Sequence, residues 1–176
     1  MRSYHDREWG RPVLTDAALF ERIILEGAQA GLSWATILNK RPAYRKAFAG
    51  FRPDRVARFT ARDEHRLLAD AGIVRNRAKI RSAIANARAF LELRDAVGGV
   101  GSWLATFDDP ALLSKDLRAR GFTFVGPTIA LSILHAIGVI DGHVAGCALA
   151  SRPRRRPPSA AGPRSRAAPG ARSGRR

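Results

Sequence analysis

The sequence predicts an all-α fold, and three observations carry the prediction. Apolar residues recur at helical spacing through the first 150 positions, no segment alternates apolar and polar residues as a strand would, and capping residues punctuate the periodic runs. Thr15-Asp16 can cap a segment in which Leu19, Phe20, Ile23, Ile24 and Gly27 share one face. Ser33 can cap the next segment, WATILNKR, which Pro42 interrupts. Pro53-Asp54 opens a short piece with proline at the first helical position. ARDEHRLLADAG ends on Gly72, read as a C-cap. From Arg75 to about Leu93, Ile80, Ala83, Ile84, Ala87, Phe90 and Leu91 recur at helical spacing. LLSKDLRARG ends on Gly121, and the strongly apolar GPTIALSILHAIG over 126–138 ends on Gly138.

Composition divides the chain in two. The 176 residues carry a net charge of +16, and residues 151–176 supply nine Arg without one acid, aliphatic Val, Ile or Leu, or aromatic. Such a segment cannot bury enough apolar surface to offset its ordering entropy, so 151–176 is expected to be a disordered basic tail behind one domain over 1–150. That domain keeps 22 Lys/Arg against 15 Asp/Glu, a balance suited to a polyanionic partner. One cysteine excludes an internal disulfide, and no apolar run is long enough to span a membrane. A monomer in the cytoplasm is the default expectation.

One join between helices stands apart. GFTFVG (121–126) places two glycines in a tight turn before Pro127 and an apolar helix. It reads either as an ordinary αα-corner or as a helix-hairpin-helix. In the second case the turn and helix N-terminus around Gly121, Phe124, Gly126 and Thr128 offer backbone N–H groups to a DNA phosphate without reading sequence.

Four blocks carry chemistry-bearing residues: YHDREWG (4–10), LEGAQAGLSW (25–34), DAGIVRNRAKI (70–80) and RGFTFVGPTIALSILHAIGVIDGHVAGC (120–147). In order and spacing they resemble the 3-methyladenine DNA glycosylase I family of the helix-hairpin-helix glycosylase superfamily, over nearly all of residues 4–147. The resemblance implies that superfamily's all-α fold. It also implies a hydrolase that removes 3-methyladenine from alkylated double-stranded DNA, and a structural zinc ion held by two Cys and two His. His5, His143 and Cys147 match three of those ligands. The remaining one is normally a Cys upstream of the Tyr-His pair, and this sequence begins at Met1, three residues before Tyr4. Zinc is therefore expected to be bound weakly, with water completing its tetrahedron.

The same resemblance makes Tyr4 and Trp34 stacking partners of the base, Trp9 a pocket wall, and Glu26 the carboxylate that recognises the base and serves catalysis. Each has a plainer reading: the aromatics as core, Glu26 as a cap or ion-pair partner. The chemistry favours the pocket. A base inside a duplex is reached only by flipping its nucleotide out. A base methylated at N3 is cationic, attracts aromatic faces and a carboxylate, and is already a good leaving group. Positioning and electrostatics then suffice, with water attacking C1′. Asp141, near the place where other superfamily members carry a catalytic Asp, reads better as the cap of a helix bearing His143 and Cys147. The hairpin holds no Lys, and Lys115 precedes it, so a monofunctional enzyme is expected. The alternatives are a non-catalytic helix-hairpin-helix DNA-binding protein, which would need neither Glu26 nor the aromatics, and an inactive truncated glycosylase.

Overall fold

The apolar face that runs from Leu19 to Gly27 becomes the centre of the molecule. The structure, a computed structural model, describes residues 1–13 and 15–150. The helices are α1 (Arg2–Arg7), α2 (Asp16–Gln29), α3 (Trp34–Ala47), α4 (Pro53–Val56), α5 (Ala61–Ala69), α6 (Arg77–Val97), α7 (Val100–Leu104), α8 (Pro110–Ala119) and α9 (Pro127–Ala136). The described residues contain no strand. The tail expected to be disordered, 151–176, lies outside the described residues.

Helix α2 begins where Thr15 accepts a hydrogen bond from the Ala18 N–H at 3.3 Å. Residues 19–28 are all buried, so this is a core helix enclosed on every side, with α3, α6, α7 and α9 among its neighbours. Phe20 meets Phe90 of α6 and Phe51 edge-on, at ring centroid distances of 5.6 and 6.4 Å.

Four local expectations are corrected. Pro42 does not interrupt its helix: α3 runs from Trp34 to Ala47. The proline stands on the exposed side, while Arg41 and Arg45 on either side of it both bind Glu21 of α2, so tertiary contacts hold the helix together. Gly72 is not a C-cap. Helix α5 stops at Ala69, and Asp70 turns the chain by accepting the Gly72 N–H at 2.7 Å. Leu91 is only half-buried, and Leu93 fills the core in its place. No helix carries His143 and Cys147, because 139–150 is a series of turns, so Asp141 caps nothing there.

The α8–α9 join is a tight hairpin. Gly121 takes φ +86° and Phe124 φ +55°, and Phe124 is partly exposed at the turn. Asn86 of α6 clamps it: its side-chain amide donates to the Thr123 carbonyl at 3.0 Å, and its oxygen accepts the Thr123 N–H at 2.9 Å. The Thr123 hydroxyl lies 2.7 Å from the Ser82 hydroxyl. Asn86→Ala removes the acceptor of the Thr123 N–H and one of two donors to its carbonyl, the other being the Ser82 hydroxyl at 3.3 Å, so it should cost about 1–3 kcal/mol. Denaturant unfolding checks this, and a loss under 0.5 kcal/mol would show that the turn holds its own shape.

Candidate active site and metal cluster

Two glycines bring the two ends of the domain together. Gly10 takes φ +70° and donates its N–H to the Ala136 carbonyl at 3.1 Å, while Gly138 takes φ +78°. A Cβ on Gly138 would stand 2.5 Å from the Gly10 carbonyl oxygen, so only glycine fits. This contact sets α1 beside the segment that follows α9.

There His5, His143 and Cys147 converge, with their candidate ligand atoms all within 4.8 Å of one another. His5 Nε2 is 3.7 Å from Cys147 Sγ. Each imidazole is held by a carboxylate on its other nitrogen: His5 Nδ1 by Asp6 at 2.8 Å, and His143 Nδ1 by Asp141 at 2.6 Å. Asp141, expected to cap a helix, instead orients a histidine and also accepts the His143 N–H at 3.1 Å. His143 Nε2 is buried and has no partner among the described residues. Carboxylates on both Nδ1 atoms leave both Nε2 atoms as donors, which is how metal-ligating histidines are oriented. The donor set therefore fits a zinc ion.

Beside this cluster opens a cleft of about 480 Å³ lined by Tyr4, His5, Asp6, Trp9, Trp34 and the N-terminal Met1-Arg2. That size suits a single base. Trp9 divides its faces. It lines the cleft, but its ring also stacks on His5 at 5.7 Å and meets His143 edge-on at 4.7 Å. Tyr4 and Trp34 touch each other, with centroids 5.4 Å apart and planes tilted by 55°. A base sandwiched between them would need about 7 Å, so it enters only if the rings part, or it stacks on one of them.

Glu26 lies deeper. It is 4 % exposed, is absent from the cleft wall, and has no hydrogen-bond donor among the described residues. Burial pushes its carboxyl up to about 7, opposed by the charge of Arg22. Tyr4 is close enough to feel Glu26. Burial pushes its phenol up to about 12, and its hydroxyl, too, is buried without a described partner.

The hairpin completes the set. Among the predicted DNA-facing residues, Gly121, Phe124 and Thr128 are exposed, and half-buried Gly126 is the N-cap of α9. The N–H groups of Thr128 and Ile129 have no acceptor within the helix, as at any helix N-terminus. Phe124 packs on Gly27, where a Cβ would lie 3.2 Å from the Phe124 carbonyl oxygen.

Comparison with known proteins decides the family. The family model described as methyladenine glycosylase matches residues 1–111 and 103–150. The chain belongs to the methyladenine glycosylase family. It is 42 % identical over 165 residues to DNA-3-methyladenine glycosylase 1 of Escherichia coli strain K12, covering 82 % of this chain and 88 % of that one. It is 37 % identical over 164 residues to a DNA-3-methyladenine glycosylase of Haemophilus influenzae, covering 82 % and 89 %. In structure it is similar to 3-methyladenine DNA glycosylase I from Staphylococcus aureus, solved to show that protein's 3-methyladenine recognition. The TM-score is 0.81, the identity 36 %, and the coverage 88 % and 92 %.

Sequence reasoning missed several residues that this methyladenine glycosylase family member places around the cleft. Glu8, Glu21, Arg22, Arg41 and Arg45 form one ion cluster under Tyr4. The only available signal was Arg22 and Glu21 standing within an otherwise apolar helical run. Lys79 sits in the basic loop-to-helix block, yet its ammonium donates to the Ala28 and Ala30 carbonyls at 2.9 and 2.6 Å and so closes the end of α2. Leu32, in the α2–α3 turn two residues before Trp34, is 39 % exposed and is also a new candidate.

The raised Glu26 value makes stability depend on pH. A carboxyl that titrates near 7 when folded and near 4.5 when unfolded holds its full stability below 4.5 and loses it as pH rises to about 7. Glu26→Gln removes the charge, so the variant should be more stable than the parent at pH 8, by at most about 3 kcal/mol, and equal to it at pH 4. Paired denaturant curves at both pH values test this. A variant less stable at pH 8 would mean that Glu26 serves as a structural ion partner.

Proposed function

We propose that the chain is a monofunctional DNA-3-methyladenine glycosylase of base-excision repair, acting on alkylated double-stranded DNA. The observation that carries the reading is Glu26, a 4 % exposed carboxylate whose charge reaches Tyr4, a residue of the cleft wall whose hydroxyl is buried with no partner among the described residues. A carboxylate so little exposed beside an unanswered hydroxyl is costly unless a ligand completes it. Cleft dimensions, aromatic walls and family membership agree with that reading.

The steps follow from the geometry. The hairpin amides at Thr128 and Ile129 hold a phosphate and fix the duplex. The target nucleotide rotates out, and an apolar wedge fills the space it leaves. Leu32, exposed in the α2–α3 turn two residues before Trp34, is the candidate for that wedge. The cationic base meets the face of Trp34 and the ring of Tyr4, and Glu26 accepts a hydrogen bond from its polar edge. Water adds to C1′ while the glycosidic bond breaks, the cationic base leaves neutral with the bonding electrons, and the proton lost by the water passes to solvent. The methylated base needs no proton from the enzyme. The Lys79 ammonium is bound to two carbonyls, so it is not free to form an imine. That agrees with a glycosylase lacking lyase activity.

Zinc is the structural ion that His5, His143 and Cys147 would hold, tying α1 to the segment after α9. When bound, it would supply structural cross-linking of the three donors rather than catalysis. Residues 151–176 contain no Cys, His, Asp or Glu to supply a fourth. Metal content measured after purification without added zinc should fall below one ion per chain, and chelator should strip it. A zinc that resists chelator would reveal a fourth protein ligand.

Release of 3-methyladenine from alkylated duplex by the purified chain tests the function. Glu26→Gln should lower excision by about 1–3 kcal/mol in barrier and leave affinity for undamaged DNA unchanged. Trp34→Ala should act in the same direction. A binding module would show no release by the parent chain and no difference among the variants.

A further inference from the structure

Arg22 is one of the more costly residues in the fold. Its side chain is 6 % exposed, and its guanidinium makes one charged hydrogen bond, from Nη2 to Glu8 Oε2 at 3.0 Å. Its Nη1 is buried with no partner among the described residues. An apolar side chain would fill the place at lower cost if packing were the only need. The guanidinium carbon instead lies 4.8 Å from the centroid of the Tyr4 ring, within cation–π range. Glu26 follows four residues later in α2, so the two side chains stand on one helix face.

The surrounding charges do not balance. Arg22, Arg41 and Arg45 meet Glu8 and Glu21, so three guanidinium groups face two carboxylates. The surplus positive charge would repel a cationic base from the neighbouring cleft. Asp6 and Arg2 on the cleft wall offset one another, so Glu26, when ionised, is the further carboxylate that balances the cluster.

We propose that Arg22 is a positioning residue of the base site: it holds the Tyr4 ring and is the fixed counter-charge of the Glu26 carboxylate. The proposal rests on the reading of Glu26 as the base-recognising group. Arg22 acts through Tyr4 and Glu26, so its contribution to excision depends on Glu26 being charged.

A double-mutant cycle tests it, using Arg22→Met, Glu26→Gln, the double variant and the parent chain, with Arg22→Lys beside them. The first readout is single-turnover release of 3-methyladenine from alkylated duplex. Arg22→Met should lower the rate about tenfold in the parent background and less than about twofold in the Glu26→Gln background, while Arg22→Lys should keep most of the rate. Equal losses in both backgrounds, or a Lys variant no better than Met, would overturn the proposal and leave the glycosylase reading intact. The second readout is the melting temperature of the same proteins. Glu26→Gln should raise it more when Arg22 is Met, because the carboxylate has then lost its counter-charge. Equal increments would overturn the pairing even if the parent chain releases no base, a result that would separately end the glycosylase reading. Should Arg22→Met not fold, Arg22→Gln keeps a donor for Glu8 without the charge and takes its place.

Discussion

Helix α2 is buried along its whole middle, and that constraint organises the rest of the structure. A surface helix can send its polar residues to water. This one cannot, so each polar group it carries must be answered from another element. Glu21 is answered by Arg41 and Arg45 of α3, and their guanidinium groups hold its carboxyl below the usual range despite burial. Arg22 is answered by Glu8. The carbonyls of Ala28 and Ala30 are answered by Lys79 of α6. Two groups stay unanswered among the described residues: Arg22 Nη1 and the Glu26 carboxylate, one turn apart on the same face.

A second constraint closes the domain on itself. The mutual approach of Gly10 and Gly138 fixes where the first helix lies against the chain after the last one. Everything at the cleft mouth follows from that contact. Tyr4, His5 and Trp9 are brought to His143 and Cys147, and Trp9 serves both groups by lining the cleft and packing between the two histidines. The His5–His143–Cys147 cluster and the aromatic cleft are thus neighbours that share walls. Loss of order in one would be felt in the other.

Much of this was legible in the sequence. The helix starts at Thr15, Ser33 and Pro53 follow from capping chemistry that is local, and local rules read them correctly. The convergence of His5 with His143 and Cys147 was legible through family resemblance, since 138 residues of chain separate the first pair and no local rule spans them. Pro42 was misread because its effect is decided by Glu21, twenty-one positions away, which binds the arginines on both sides of it. Asp141 was misread for a different reason. Its turn-forming side chain looks the same in sequence whether it caps a helix or holds an imidazole. The ion cluster under Tyr4 escaped notice because three separate segments of chain supply it, and charged residues near one another in space leave no periodic trace.

The contact of Gly27 with Phe124 has a consequence for how the two parts move. A Cβ on Gly27 would stand 3.2 Å from the Phe124 carbonyl oxygen, so even one added carbon would press the hairpin turn outward by a few tenths of an ångström. The hairpin turn and the middle of α2 therefore move as one body, joined backbone to backbone with no side chain between them. Whatever displaces the turn is passed directly to the stretch of α2 that carries Glu26, and a bulkier residue at position 27 would act on both at once.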